Sequence, residues 1–206
     1  KKEFMVLPNA FDLNTYLADT SEIEKEMRDK YSLNDCTVVG NVGRFVASKR
    51  QKFTIDIFKE FLKKKPDSKL VFVGDGETFD EVSAYAKDSG IKDKIIFLGS
   101  RSDVYLWMKI FDVLVFPSEY EGLGNVAIEA QAAGTPCVCS EAVPREVDMG
   151  LGIAKFLSLE ETETVRCNVV LEMSDMPCPA KSVIKDSFDK RKYTIESEVK
   201  VLSDIY

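Results

Sequence analysis

Five short apolar runs recur along the chain, at residues 36–42, 70–74, 95–98, 113–116 and 137–140, with helix-length stretches between them. Each run is continuous rather than alternating, which suits a strand covered on both faces. The stretch 53–62 places Phe53, Ile57, Phe58, Phe61 and Leu62 on one helical face and stops at three lysines before Pro66. Residues 77–89 form a second expected helix, ended by Gly90, and 103–110 a short third. A charged stretch at 21–31 reads as a helix, as do 160–173 and 195–205, and Met176-Pro177-Cys178-Pro179 breaks the chain. Residues 4–13, FMVLPNAFDL, read as an entering strand with a turn at Pro8-Asn9.

Strands alternating with helices predict the α/β class: a Rossmann-like, doubly wound parallel sheet with right-handed crossovers. In such sheets ligands bind beyond the carboxyl ends of the strands. The loops after Val42, Val73, Leu98, Phe116 and Ser140 therefore carry the expected site.

The most informative of these loops is PSEYEGLGNVAIEAQAAGTP, residues 117–136. It leaves an apolar run, turns through Gly122 and Gly124, and enters a helix that stops at Gly134. Two carboxylates, Glu121 and Glu129, stand with seven residues between them. A helix N-terminus after glycines attracts anions, because its first amides lack backbone partners and the helix dipole is positive there. Two acids would weaken such a site unless they grip something uncharged and rich in hydroxyls. A nucleotide sugar offers phosphates for the amides and hydroxyls for the carboxylates. Paired carboxylates also occur in glycosidase acid–base chemistry. The plainer alternative is a capping acid plus a surface acid.

The first loop, GNVGRFVASK at 40–49, sets Arg44 and Lys49 around Gly43. Arginine can fork two donors onto a phosphate, and lysine adds a mobile point charge. A tight turn with two solvated cations is the alternative. The loop lacks the GxxxxGK[ST] spacing of a P-loop. The second loop, VGDGE at 73–77, fits a strand exit with a helix cap. The third, at 99–104, ends in a cap at Ser102 or Asp103 and also suits a base-binding loop.

The formal net charge is −7, so nucleic acid is not an expected partner. A phosphate ligand is still allowed, because distant charges are screened beyond about 8 Å at physiological salt. The chain has no histidine, which removes the commonest general base and metal ligand. Its five cysteines show no metal-ligand spacing and are expected to be reduced and structural, in keeping with a cytoplasmic setting. No run reaches the length of a membrane span, and no signal peptide opens the chain. The length suits one domain with an appendage, and the start at Lys1 reads as a piece of a longer protein.

These residues resemble the carboxy-terminal domain of a retaining glycosyltransferase of the GT-B fold, in the family called glycosyl transferases group 1 or family 4. VLPNAFDL is similar to the interdomain linker and NVGRFVASK to the phosphate loop. LVFVGDGE, IIFLGSRSDV, VFPSEYEGLGNVAIEAQAAGTPCV and a last helix with its terminal tyrosine follow in family order. The paired glutamates are the most specific element. The stretch EGLGNVAIEAQAAGTPCVCSEAVPREV is similar to bacterial enzymes that build capsular or exopolysaccharide.

The resemblance implies a division into a linker at 1–13, a nucleotide-sugar-binding domain at 14–190, and a helix at 191–206 that packs toward an amino-terminal domain absent from this chain. It implies that Arg44 and Lys49 hold the donor diphosphate beside Gly43 and stabilise it as it leaves. Glu129 would bind the ribose, and Glu121 would face the donor sugar near the reacting centre. The segment Gly122, Leu123, Gly124 and Asn125 would contact phosphate or sugar, and Ser100, Arg101 and Val104 would receive the base. The expected activity is hexosyl transfer from a nucleotide diphosphate sugar, by default a UDP-sugar, to a glycan or lipid-linked acceptor. Neither a cofactor nor a metal is expected. The absent domain would supply the acceptor site and any peripheral contact with the inner face of the membrane, so this chain alone is expected to be inactive. One departure is Arg50-Gln51-Lys52, where many relatives place Asn-His. Two rival classes are a nicotinamide-dependent oxidoreductase, which would want a third glycine in the first loop, and a non-catalytic nucleotide-binding module, which would want acids there.

Overall fold

A computed structural model describes residues 10–203, with the side chains of 200–202 excepted. The chain forms β1 (Thr37–Val42), β2 (Ser68–Val73), β3 (Ile95–Phe97), β4 (Val113–Phe116), β5 (Cys137–Ser140) and β6 (Ala154–Leu157). They make a six-stranded sheet in the order β3-β2-β1-β4-β5-β6. Every pairing is parallel. The strand order reverses between β1 and β4, and a crevice is expected there.

The helices are α1 (Leu13–Leu17), α2 (Ser21–Lys30), α3 (Gln51–Leu62), α4 (Phe79–Asp88), α5 (Val104–Ile110), α6 (Asn125–Ala132), α7 (Glu163–Ser174), α8 (Lys181–Arg191) and α9 (Ile195–Ser203). Consecutive strand residues point to opposite faces, and β1 shows the result. Val39 joins the core under α3, α4 and α7 with Ile55, Phe58, Val82 and Val170. Its neighbours Val38 and Val42 join the core under α5, α6 and α8 with Trp107, Ile128 and Phe188. Gly40 is the exception in this apolar strand, because a side chain there would occupy the ring of Phe111.

The five expected strands are present to within two residues at each end. β6 adds a sixth. Its sequence, AKFL, is interrupted by Lys155 and half exposed, so it shows no apolar run; its register with β5, from Cys137 opposite Ala154 to Ser140 opposite Leu157, places it on the edge. α8 is also additional to the sequence reading. It buries only Ile184 and Phe188, four residues apart, and this pair is too little to mark a helical face after the prolines. Residues 1–9 of the expected linker and strand lie outside the described residues; beyond them, Phe11 bridges to Thr194 and α1 begins at Leu13. The terminal Tyr206 also lies outside. Among the described residues, no helix is long and apolar enough to cross a membrane.

Candidate functional site

The loops that leave β1, β2 and β3 are locked together through their backbones. The Gly43 amide donates to the Val73 carbonyl at 3.0 Å, the Phe45 amide to Asp75 at 2.9 Å, and the Gly74 amide to Gly99 at 2.8 Å. Gly74 sits at φ 139°, and a Cβ there would strike the Gly43 carbonyl. Gly43, at φ 152°, differs: a Cβ there would meet only the Lys49 methylenes, at 3.9 Å and beyond. The space beside the Lys49 stem is therefore open at the carboxyl end of β1.

Gln51 shapes this loop from within. It is 2% exposed, and its side-chain amide donates to the Arg44 carbonyl at 3.0 Å. This gives Gln51, part of the departure from the family pattern, a structural task. Arg50 adopts a left-handed conformation at φ 53°, stacks over the Phe53 ring at 4.2 Å and approaches Glu119 at 3.5 Å. Lys52, in the first turn of α3, pairs with Glu81 in the first turn of α4.

The loop after β4 closes against the first loop. The Glu119 amide donates to the Ser48 carbonyl at 2.7 Å. Lys49 Nζ donates to Glu121 Oε1, and the two side chains are only 19% and 11% exposed. The same ammonium lies 5.3 Å from the centre of the Phe116 ring. Thus the structure brings Lys49 and Glu121 into contact across 72 residues of sequence. Arg44 stands exposed on the same loop and makes no ion pair among the described residues.

α6 starts directly after this acid. Its N-cap, Gly124, holds φ 90° and offers no side-chain cap, so no carboxylate or hydroxyl of the cap residue occupies the helix start. Gly122 and Asn125 are exposed, and Leu123 is half buried against the core. Gln131 anchors the helix from below, donating to the Ala127 and Val147 carbonyls and accepting from the Met149 amide.

Glu129 lies one turn into α6 and is half buried, and its carboxylate makes no hydrogen bond or ion pair among the described residues. Burial pushes its carboxyl above the ordinary range. It faces Tyr16 of α1, whose phenol is raised first by burial and then by the charge of Glu129. No hydrogen bond or ion pair joins Glu129 to Arg44 or Lys49. A half-buried acid without a donor retains the capacity to accept hydrogen bonds from hydroxyls.

At the third loop, Arg101 forks onto Asp103 through Nε and Nη2, at 2.8 and 2.6 Å. Arg101 is thereby held by its own loop, and the Asp103 carboxyl is kept below its usual range by that bond. Ser100 is exposed, and Val104, half buried, begins α5. A cavity of about 420 Å³ opens between the first loop, α3 and α4, lined by Val46, Ala47, Arg50, Phe53, Val82 and Tyr85. Its polar groups are partly spent on one another, Tyr85 on Asp56 and Lys52 on Glu81, and it does not reach the paired glutamates.

Three residues of the site were given no role from the sequence. Asn41 is buried in β1 and donates through its side chain to the Val115 carbonyl of β4 at 2.8 Å. An asparagine inside an apolar run is the one signal that could have marked it. Gln51 and Tyr16 carry no such signal.

The family described as Glycosyl transferases group 1 matches residues 23–149. The chain is 30% identical over 201 residues to "Putative glycosyltransferase EpsF" of Bacillus subtilis (strain 168), covering 98% of this chain and 52% of that protein. It is 36% identical over 129 residues to "Vi polysaccharide biosynthesis protein VipC/TviE" of Salmonella typhi, covering 63% of this chain and 22% of that protein. The chain thus spans about half the length of the first relative and less of the second. Among solved structures, Anabaena HepE in complex with UDP and glucose superposes with a TM-score of 0.78 at 19% identity, over 98% of this chain and 56% of the other. That likeness establishes the fold, a Rossmann-like domain of the GT-B type.

Proposed function

The chain belongs to the glycosyl transferases group 1 family, and we propose that it is the donor-binding half of a retaining hexosyltransferase that uses a UDP-sugar in cell-surface polysaccharide synthesis. One observation carries this reading. The cationic loop after β1 and the acidic loop after β4 meet at the reversal of strand order, through Lys49 and Glu121.

Cleavage at the anomeric carbon leaves negative charge on the diphosphate. Preorganised donors aimed at that charge lower the barrier. Arg44, exposed and without an ion pair among the described residues, and Lys49 are the cations of the loop, and the glycine-capped start of α6 adds the positive end of a helix dipole. These groups meet the diphosphate charge in place of a metal. Glu129 accepts from the ribose hydroxyls and Glu121 from the sugar, while the 99–104 loop receives the base. The acceptor, a glycan or a lipid-linked sugar, enters from a second domain outside this chain. That domain also makes any contact with the membrane surface, on its cytoplasmic side.

The test is a calorimetric titration with UDP. Arg44→Ala and Glu129→Ala are each expected to weaken binding about tenfold, the size of one charge-assisted hydrogen bond. Unchanged affinity in both variants would remove the basis of the assignment.

A further inference from the structure

We propose that Glu121 competes with the donor's diphosphate for Lys49, so that nucleotide binding releases Glu121 to the sugar. The inference rests on the donor-site reading above and adds the order in which its charges become available. Lys49 and Glu121 are bonded to each other and largely withdrawn from solvent. A phosphate oxygen reaching the same ammonium would lie beside the carboxylate already bonded to it. Two anions in such a place repel, so the pair must part for the diphosphate to seat.

The loop that carries Glu121 has the means to move. Gly122 follows it with open space around its Cα, and Gly124 supplies a pivot at φ 90°. The same loop holds Ser118 Oγ buried without a hydrogen-bond partner among the described residues. An unspent buried hydroxyl marks an arrangement that a shift of the loop can improve. Arg44, outside any ion pair, would meet the phosphate first. Lys49 would change partners second, and Glu121 would then turn to the sugar hydroxyls. The donor's two halves would be recognised in sequence rather than independently.

UDP, which has no sugar, isolates the first half. Calorimetric titrations would compare the full chain with Glu121→Gln, Lys49→Ala and the double variant, with melting temperatures measured alongside to confirm folding. Glu121→Gln is expected to bind UDP about tenfold more tightly than the parent, and the gain should shrink to about twofold or less once Lys49 is absent. Equal or weaker binding by Glu121→Gln overturns the proposal. So does a gain as large in the Lys49→Ala background, which would mean simple repulsion between Glu121 and the phosphates. Arg44→Ala and Glu129→Ala judge the donor site itself, so failure of the exchange and failure of the site give different patterns.

Discussion

Asn41 and Val115 face each other across the reversal of strand order. The Asn41 side-chain amide donates to the Val115 carbonyl at 2.8 Å, one residue beyond the last register pair of β1 and β4, Gly40 with Leu114. A side chain thus joins the two strands where their paths to the site begin. Thr54 of α3 shares the same amide at 3.3 Å.

Asn41→Leu keeps the branching and the number of side-chain heavy atoms and deletes the bridge. It leaves the Val115 carbonyl without this donor in a buried setting, at a cost of about 1–3 kcal/mol. The expected result is a lower denaturation midpoint in urea and weaker UDP binding. A variant as stable as the parent would show that the bridge contributes nothing net.

Gly74→Ala tests the backbone lock. Its Cβ would enter the Gly43 carbonyl, and φ 139° is unfavourable for any side chain. Backbone cannot yield as a flexible side chain can, so destabilisation of about 2 kcal/mol or more is expected. For a chain of this size that corresponds to a fall of about 4–8 °C in Tm. The first loop should shift with it, and UDP affinity should drop as well.

Gly124→Ala probes the start of α6. The left-handed conformation costs an alanine about 1–2 kcal/mol, and its Cβ would approach Val143 Cγ1 at 3.0 Å. Thermal denaturation should report that loss. Circular dichroism should show the remaining helices intact, since the strain is confined to one turn.

Glu129→Gln should stabilise the protein at neutral pH. Burial raises the Glu129 carboxyl in the folded chain above its unfolded value. The folded state therefore holds the proton more tightly, and its ionised form is penalised above the folded pKa. As pH falls through that value the wild-type carboxyl becomes neutral and the advantage of the amide disappears. Paired melts at pH 7.5 and about pH 4 would show the variant melting higher at pH 7.5 and the gap closing at the lower pH. If Glu129 holds the ribose as proposed, the same variant should bind UDP more weakly, a trade of recognition for stability.

The sheet was legible because its four inner strands and the edge strand β3 are rich in apolar residues and so read as apolar runs. β6 was not, because an edge strand with Lys155 in its middle needs no such run; β5 supplies its hydrogen bonds. The candidate site divided in a similar way. Glu121 and Glu129 announced themselves through spacing beside glycines, a local pattern. The pairing of Lys49 with Glu121 did not, since it joins residues 72 apart, and only the reversal of strand order brings their loops together. The neighbourhood of Tyr16 and Glu129 arises in the same manner, from α1 packing beside α6.

The backbone lock at Gly43, Gly74 and Gly99 has an evolutionary consequence. It makes the rim at the carboxyl ends of β1, β2 and β3 a rigid jaw, whereas residues 119–124 attach to that jaw through the Glu119 amide and through side chains. On the proposed donor site, substitutions in the pliant jaw would retune which sugar is accepted without loosening the grip on the nucleotide. One scaffold could in this way diversify into many sugar preferences while keeping a single way of holding the leaving group.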